Sequence, residues 1–271
     1  MQTMEQPAPS VLKLLAHDLR WTLLQQLVRS DYRVAELVAQ VKQPLNLVSY
    51  HLRQLRQAGL VHERRSTADE RSFYYSLDLQ RLHMLYLEAS SSLHPSLGEA
   101  IPPGSRTQWH FDGSPPRLLF LCTSNSARSQ MAEALLGHLS QGQVQALSAG
   151  SHPAQEVNPL AVRTLARRGI QMNQSVPKSL EGFVGQSFDR VITLCDRVRE
   201  RCPTWGDSSP IHWSLPDPTA AEGSEAAEGS EAERQQVFDQ LALQLDVRIR
   251  LLLTLLEQER KVSVPGQKTA S

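Results

Sequence analysis

Residues 117–121 read Arg-Leu-Leu-Phe-Leu, and the eight that follow, Cys122 to Ser129, read Cys-Thr-Ser-Asn-Ser-Ala-Arg-Ser before a stretch of helix formers. A short continuous apolar run suits a strand buried on both faces. A loop of small polar residues between such a strand and a helix restricts the fold sharply, because the strand must lie inside a sheet and the helix must cover it. Further strand-like runs fit 144–149, 189–194 and 211–214, with helical segments at about 128–140 and 158–169. This alternation predicts an α/β unit with a four-stranded parallel sheet flanked by helices. A last helix is expected from about 233 to 259, with Val237, Leu241, Leu245, Ile249, Leu252 and Leu256 as its apolar positions. Before it, 221–232 duplicate an acidic Glu-Gly-Ser-Glu-Ala segment, read as an expanded surface loop.

Upstream, Pro95, Pro102, Pro103, Gly104, Gly113, Pro115 and Pro116 crowd into 94–116, the density of breakers expected of a linker. The 271 residues are thus read as two domains: 1–94, a linker at 95–116, 117–260, and a flexible tail at 261–271. Residues 10–94 carry helical spacing at Leu12, Leu15, Leu19, Leu23, Leu24 and Leu27, a short helix at 34–41, and a helix opened by Pro44 and closed by Gly59. Strand-like runs at 60–65 and 72–77 flank a polar turn, and 79–93 return to helical periodicity. Helix, helix, short helix, helix and two-stranded ribbon is the order of a winged helix-turn-helix, mostly α with a β-ribbon wing.

No apolar run reaches the ~18 residues that span a bilayer, and the first residues, MQTMEQPAPS, lack the pattern of a secretory signal. Three cysteines without such a signal point to a reducing cytoplasm. Residues 1–95 hold 11 Lys and Arg against 9 Asp and Glu, a difference of +2, too small to argue for nucleic acid by itself.

The chemistry concentrates in Cys122-x5-Arg128-Ser129. Between strand and helix, Thr123, Ser124, Asn125, Ser126 and Ala127 can turn their backbone N–H groups inward around an anion, at the positive end of the helix dipole. Arg128 offers a planar fork for two oxygens of a tetrahedral oxyanion. These positive surroundings are expected to lower the Cys122 pKa. Ser129 can donate to the thiolate, and Asn125 can hold the loop shape. The bland reading is a buried structural cysteine beside a surface arginine. Cys195 and Cys202, seven residues apart, follow the central strand and are placed in a loop at the same sheet edge; a dithiol there could supply two electrons. A zinc site or inert packing is the alternative, and the spacing without a histidine pair argues against zinc. Asp217-Pro218 is a weak motif alone, but an aspartate after the last strand could protonate a departing hydroxyl.

In the first half, the 44–58 helix would turn Leu45, Val48, Leu52 and Leu55 to the core, and Asn46, Ser49, Tyr50, Arg53 and Arg56 outward. Such side chains can reach base edges and phosphates in a major groove, and Arg64, Arg65 and Arg71 suit phosphate contacts from a wing. A helical domain with an ordinary solvated basic face fits the spacing equally well.

The stretches LAHDLRWTLLQQL, VSYHLRQLRQAGLVHERR and RSFYYSLD resemble the arsenic-repressor (ArsR/SmtB) family of winged-helix dimers over most of 10–93. That resemblance implies a homodimer on operator DNA. Metal-sensing members often carry cysteines in this region, whereas here there are only the scattered His17, His51, His62 and His83, so no metal site is expected. The stretches LCTSNSARSQMAEALL, LSAGSHPAQEVNPLAV, ITLCDRVRERCP and HWSLPDP resemble the redox-coupled arsenate reductases related to low-molecular-weight tyrosine phosphatases. The phosphatases typically place aromatic residues after the Asp-Pro, where Thr219 and Ala220 stand here. The resemblance implies arsenate reduction by a relay of Cys122, Cys195 and Cys202, with Asp217 as acid, no bound cofactor, and electrons from thioredoxin or an equivalent thiol partner. A phosphatase with protective cysteines, or a regulator whose second domain only senses arsenic, are the alternatives.

Overall fold

A computed structural model describes residues 9–94, 109–111, 113–172, 175–202, 204–205, 209–219 and 230–263, which form two units, 1–107 and 108–271. The duplicated acidic segment falls almost wholly outside the described residues, as does the linker up to 108.

The first unit runs α1 (Ser10–Leu15), α2 (Asp18–Leu27), β1 (Tyr32–Arg33), α3 (Val34–Val41), α4 (Leu45–Gln57), β2 (Val61–Arg65), β3 (Phe73–Leu77) and α5 (Leu79–Ser91). His17 caps α2 by accepting from the Leu19 N–H at 3.2 Å. Lys42 at φ 52° closes α3, and Gly59 at φ 70° ends α4 where a side chain would be strained. Leu23, Leu24, Leu27, Leu37, Val48, Leu52 and Leu55 make a common core. Leu45 departs from expectation: at the first position of α4 it is 55% exposed, while His51 is buried instead. The expected two-stranded ribbon forms from β2 and β3, and a third strand joins it. The two-residue β1 pairs with β3 to give a sheet in the order β1-β3-β2, a strand too short to leave a periodic signal.

The second unit runs β4 (Arg117–Cys122), α6 (Arg128–Leu139), β5 (Gln145–Gly150), α7 (Pro159–Ala166), β6 (Arg190–Thr193), α8 (Asp196–Arg201), β7 (Ile211–His212) and α9 (Glu231–Ser263). Its four strands are parallel, in the order β5-β4-β6-β7. The chain leaves β4 toward β5 on one side and later returns as β6 on the other. The crevice beyond the end of β4 is therefore the switch point where open α/β sheets bind ligands. Leu118 to Leu121 are fully buried, as the apolar run required. Along α9, Phe238 takes the core place expected of Val237, which is 42% exposed.

The second unit begins ahead of 117. Trp109 and Phe111 join its core, Trp109 Nε1 donates to Thr254 Oγ1 at 3.3 Å, and the His110 N–H donates to Glu257 Oε1 at 3.0 Å. Breaker density marks irregular backbone, which at 109–111 is packed on α9. Among the described residues, no helix is long and apolar enough to cross a membrane.

Candidate functional site

Cys122 ends β4 with 1% exposure, and the loop after it curls back over its sulfur. Asn125 adopts φ 48°, a left-handed conformation that asparagine tolerates better than most residues, and its N–H donates to Cys122 Sγ at 3.2 Å. The segment after β5 fixes which way the loop peptides face. The N–H groups of Ser151, His152, Ala154 and Asn158 donate to the carbonyls of Cys122, Thr123, Ser124 and Ser126 at 2.8–3.3 Å. With those carbonyls held outward, the loop's N–H groups are left to line the concave side, where an anion can be received. The fit is close at Gly150. A Cβ there would stand 2.7 Å from the Thr123 carbonyl oxygen and 2.9 Å from Asn125 Cβ.

Asn125 is fully buried and fully used. Its Nδ2 donates to Ser129 Oγ and Ser148 Oγ, each at 2.8 Å, and its Oδ1 accepts from Lys178 N at 2.6 Å and Gln130 Nε2 at 3.0 Å. Because Ser129 Oγ already accepts from Asn125, its own hydrogen is available to Cys122 Sγ, 2.9 Å away. Ser148 donates in turn to Glu133, which Lys178 Nζ meets at 2.9 and 3.1 Å. Ser148, Gly150, Lys178, Glu133 and Gln130 were not singled out from the sequence. Gln130 and Glu133 fall within LCTSNSARSQMAEALL, Ser148 and Gly150 within LSAGSHPAQEVNPLAV, and Lys178 within neither.

Arg128 opens α6 and is 4% exposed. Its Nη1 donates to the Leu215 carbonyl at 3.2 Å and its Nη2 to Asp217 Oδ2 at 2.6 Å. The other carboxylate oxygen, Oδ1, accepts from Thr219 N at 3.1 Å and Thr219 Oγ1 at 2.9 Å. Asp217 therefore stands at the loop, but clasped to the arginine.

The expected lowering of the Cys122 pKa is reversed. Burial pushes the thiol up, and the neighbouring Cys195 adds to this. Arg128 and the hydrogen bonds from Ser129 pull the other way without prevailing. Charge can be read from a sequence, whereas the desolvation that opposes it cannot.

Cys195 lies beside Cys122 across the β4–β6 pair. Leu194 N donates to the Leu121 carbonyl at 2.7 Å, and Cys195 Sγ, 2% exposed, is 3.3 Å from Thr123 Oγ1. Cys195 and Cys202 do not share a loop as expected. They are the N-cap and C-cap of α8, a helix of 6 residues, too short to show periodicity. Cys202 is half-buried, and burial raises its pKa against the pull of Arg201. Among the described residues, no group of three or more His, Cys, Asp and Glu is placed to hold a metal ion.

In the first unit, Asn46, Tyr50, Arg53 and Arg56 are exposed and Ser49 half-exposed, at positions that recur along one face of α4. Arg56 is paired with Glu63 of β2. Arg64 Nη1 donates to the Arg65 carbonyl at 3.0 Å, and the Arg65 guanidinium lies over Phe73 at 5.5 Å. Arg71 sits in a turn held by Asp69, which accepts from Arg71 N at 3.1 Å and Ser72 Oγ at 2.6 Å.

Residues 17–63 match the bacterial regulatory protein arsR family. The second unit aligns with an arsenate reductase of Halalkalibacterium halodurans at 33% identity over 134 residues, 49% of this chain and 91% of the relative. An arsenate reductase of Bacillus subtilis is 34% identical over 109 residues, 40% of this chain and 78% of that protein. Among solved structures, an arsenate reductase in the phosphate binding state superposes with a TM-score of 0.43 and 26% identity, over 52% of this chain and 98% of that one. Residues 117–262 match the low molecular weight phosphotyrosine protein phosphatase family over more than half of the chain, and the protein belongs to that family.

Proposed function

We propose that the second unit reduces arsenate to arsenite by a three-cysteine relay, and that the first unit binds operator DNA as a homodimer in the cytoplasm, in the service of arsenic resistance. The observation that carries this reading is the second thiol. A hydrolytic phosphatase needs one nucleophile in an oxyanion loop, whereas here Cys195 is buried against that same loop, with Cys202 one short helix away. The curated relatives aligned with this unit are named arsenate reductases, which supports the assignment.

In the proposed reaction Thr123 to Arg128 hold arsenate by loop N–H groups and the guanidinium, and the Cys122 thiolate displaces one oxygen from arsenic. Asp217, swung off Arg128, gives that oxygen its proton so that it leaves as water. Cys195 then attacks Cys122 Sγ. The S–As bond breaks, its electron pair stays with arsenic, and arsenite departs as the Cys122–Cys195 disulfide forms. Cys202 attacks Cys195, releasing Cys122 as a thiolate. The caps of α8 are seven residues apart, about 10 Å along a helix axis, whereas disulfide-linked Cα atoms lie roughly 4.4–6.8 Å apart. Helix α8 must therefore unwind for the last step. A thioredoxin-type partner reduces the Cys195–Cys202 disulfide.

The test is arsenate reduction by the purified protein with thioredoxin, its reductase and NADPH. Arsenate-dependent NADPH oxidation with arsenite as product is expected. Hydrolysis of aryl phosphates without any arsenite formation would assign the site to a phosphatase instead.

A further inference from the structure

The relay requires one end of α8 to move, and the two ends are held very differently. At the front, Asp196 directly follows Cys195 and is fully buried. Its Oδ1 accepts from Ser214 Oγ at 2.7 Å and lies 3.1 Å from His212 Nε2. His212 is also fully buried, with its Nδ1 2.9 Å from Thr193 Oγ1. Nδ1 also lies 3.2 Å from the Thr193 carbonyl oxygen, so a proton on either ring nitrogen meets an acceptor, the carboxylate at Nε2 or Thr193 at Nδ1. Thr193 and His212 are register partners that end β6 and β7, so the chain of contacts ties the first residue of α8 to the sheet. At the rear, among the described residues, the exposed Arg201 lies 3.4 Å from the exposed His152, and Cys202 is half-buried.

We propose that Asp196, His212 and Ser214 are positioning residues that anchor Cys195 at the catalytic edge through every stage of the relay, so that Cys202 is the thiol that travels. Separating the fully buried Asp196 from its partners would leave polar atoms unpaired in the core, whereas releasing Arg201 frees groups already in water. Unwinding therefore runs from the rear of α8 toward the anchor. The exchange balances within the chain: the Cys202 thiolate forms a bond to Cys195 Sγ as the Cys122–Cys195 bond breaks, and Cys122 leaves with the electron pair and takes up a proton.

This inference rests on the relay proposed above, and the experiment separates the two. Reduced full-length Cys202→Ser protein receives one equivalent of arsenate, and the Cys122–Cys195 disulfide is followed by mass spectrometry. If the Cys202→Ser parent forms none, the relay falls, and the anchor with it, before any anchor variant is made. Adding Asp196→Ala or His212→Gln should slow that disulfide by about tenfold, because the attacking sulfur is no longer held in place. Peptide-resolved alkylation of Cys122 by iodoacetamide, and its protection by phosphate, should stay unchanged. Asp196→Asn, which keeps an oxygen for Ser214, should recover most of the rate. Ser214→Ala, which deletes the hydrogen bond to Asp196, gives a smaller slowing in a variant that folds. An unchanged disulfide rate in these variants, or an equal loss of disulfide formation and Cys122 protection, overturns the anchor.

Discussion

Cys122, Asn125, Arg128 and Ser129 are at most 4% exposed, whereas Asn46, Tyr50, Arg53 and Arg56 stand in solvent on α4. The loop residues are held by partners from β5, α6 and the segments before and after β6, so their geometry belongs to the fold. Those on α4 are held by little beyond the helix itself, and Arg56 by one ion pair. The difference follows from what each would bind. A small oxyanion can be enclosed, and an enclosed site needs its donors fixed beforehand. A duplex cannot be enclosed, so its reader presents long side chains that settle on contact and depend on salt. Substitutions should therefore act sharply in one region and gradually in the other.

The largest effect is expected at the thiols. Cys122→Ser should remove arsenate turnover altogether, while Cys202→Ser should complete one turnover and stop with Cys122 joined to Cys195. Intact-protein mass spectrometry after one equivalent of arsenate reads both outcomes. Sustained turnover by Cys202→Ser would dismiss the relay. Next is Arg128→Lys, which keeps the charge but loses the planar fork and its reach to both Leu215 and Asp217. A loss of about 10²–10³ in kcat/KM is expected, with the circular dichroism spectrum unchanged.

Asp217→Asn should split two properties that a damaged site would lose together. Removing the carboxylate frees the Arg128 charge to act on Cys122, so the thiol's raised pKa should fall. For a thiol whose pKa lies above the working pH, a lower pKa means more thiolate. Alkylation of Cys122 at neutral pH should then speed up several-fold, and the pH profile of alkylation should shift to lower pH. Arsenate turnover should drop at the same time, by about 10²-fold for loss of the acid. Slower alkylation in this variant would show that Asp217 does not restrain the arginine.

Gly150→Ala probes the enclosure itself. The added methyl would meet the Thr123 carbonyl oxygen at 2.7 Å, and either the loop or β5 must yield. A stability loss of about 1–3 kcal/mol is expected in urea denaturation of the second unit's transition. A midpoint equal to that of the parent would mean that the contact relaxes freely.

How legible each part was in the sequence follows the same division. Cys122 to Ser129 could be read because the chemistry needs them contiguous, between a strand and a helix. Lys178, Glu133 and Ser148 could not, since they reach Asn125 and its neighbours from separate elements and their residue types carry no signature. Helix α8 was invisible at 6 residues, and β1 at 2, because periodicity needs length. The sign of the Cys122 shift was missed because charges are written in the sequence and burial is not. On α4 the outward stripe was legible from spacing, yet nothing local foretold that Arg56 would pair with Glu63 on β2.

That pairing yields the smallest expected effect and the finest test of the exposed region. Arg53 and Arg56 lie one turn apart on the same face of α4 and differ chiefly in the ion pair. A guanidinium that contacts a DNA phosphate releases about 0.9 counterion, so its removal flattens the log–log salt dependence of binding by about that amount. Arg53→Ala should show the full reduction. Arg56→Ala should show less, because in the free protein Glu63 already neutralises part of its charge and must be given up on binding. Glu63→Gln should then steepen the salt dependence and tighten binding slightly, an exposed ion pair being worth about 1 kcal/mol or less. Gel-shift titrations of the parent and the three variants at several salt concentrations give all four slopes. Equal slopes for Arg53→Ala and Arg56→Ala would show that the ion pair does not persist when α4 meets DNA. Slopes equal to the parent's in both would place neither arginine at the phosphates.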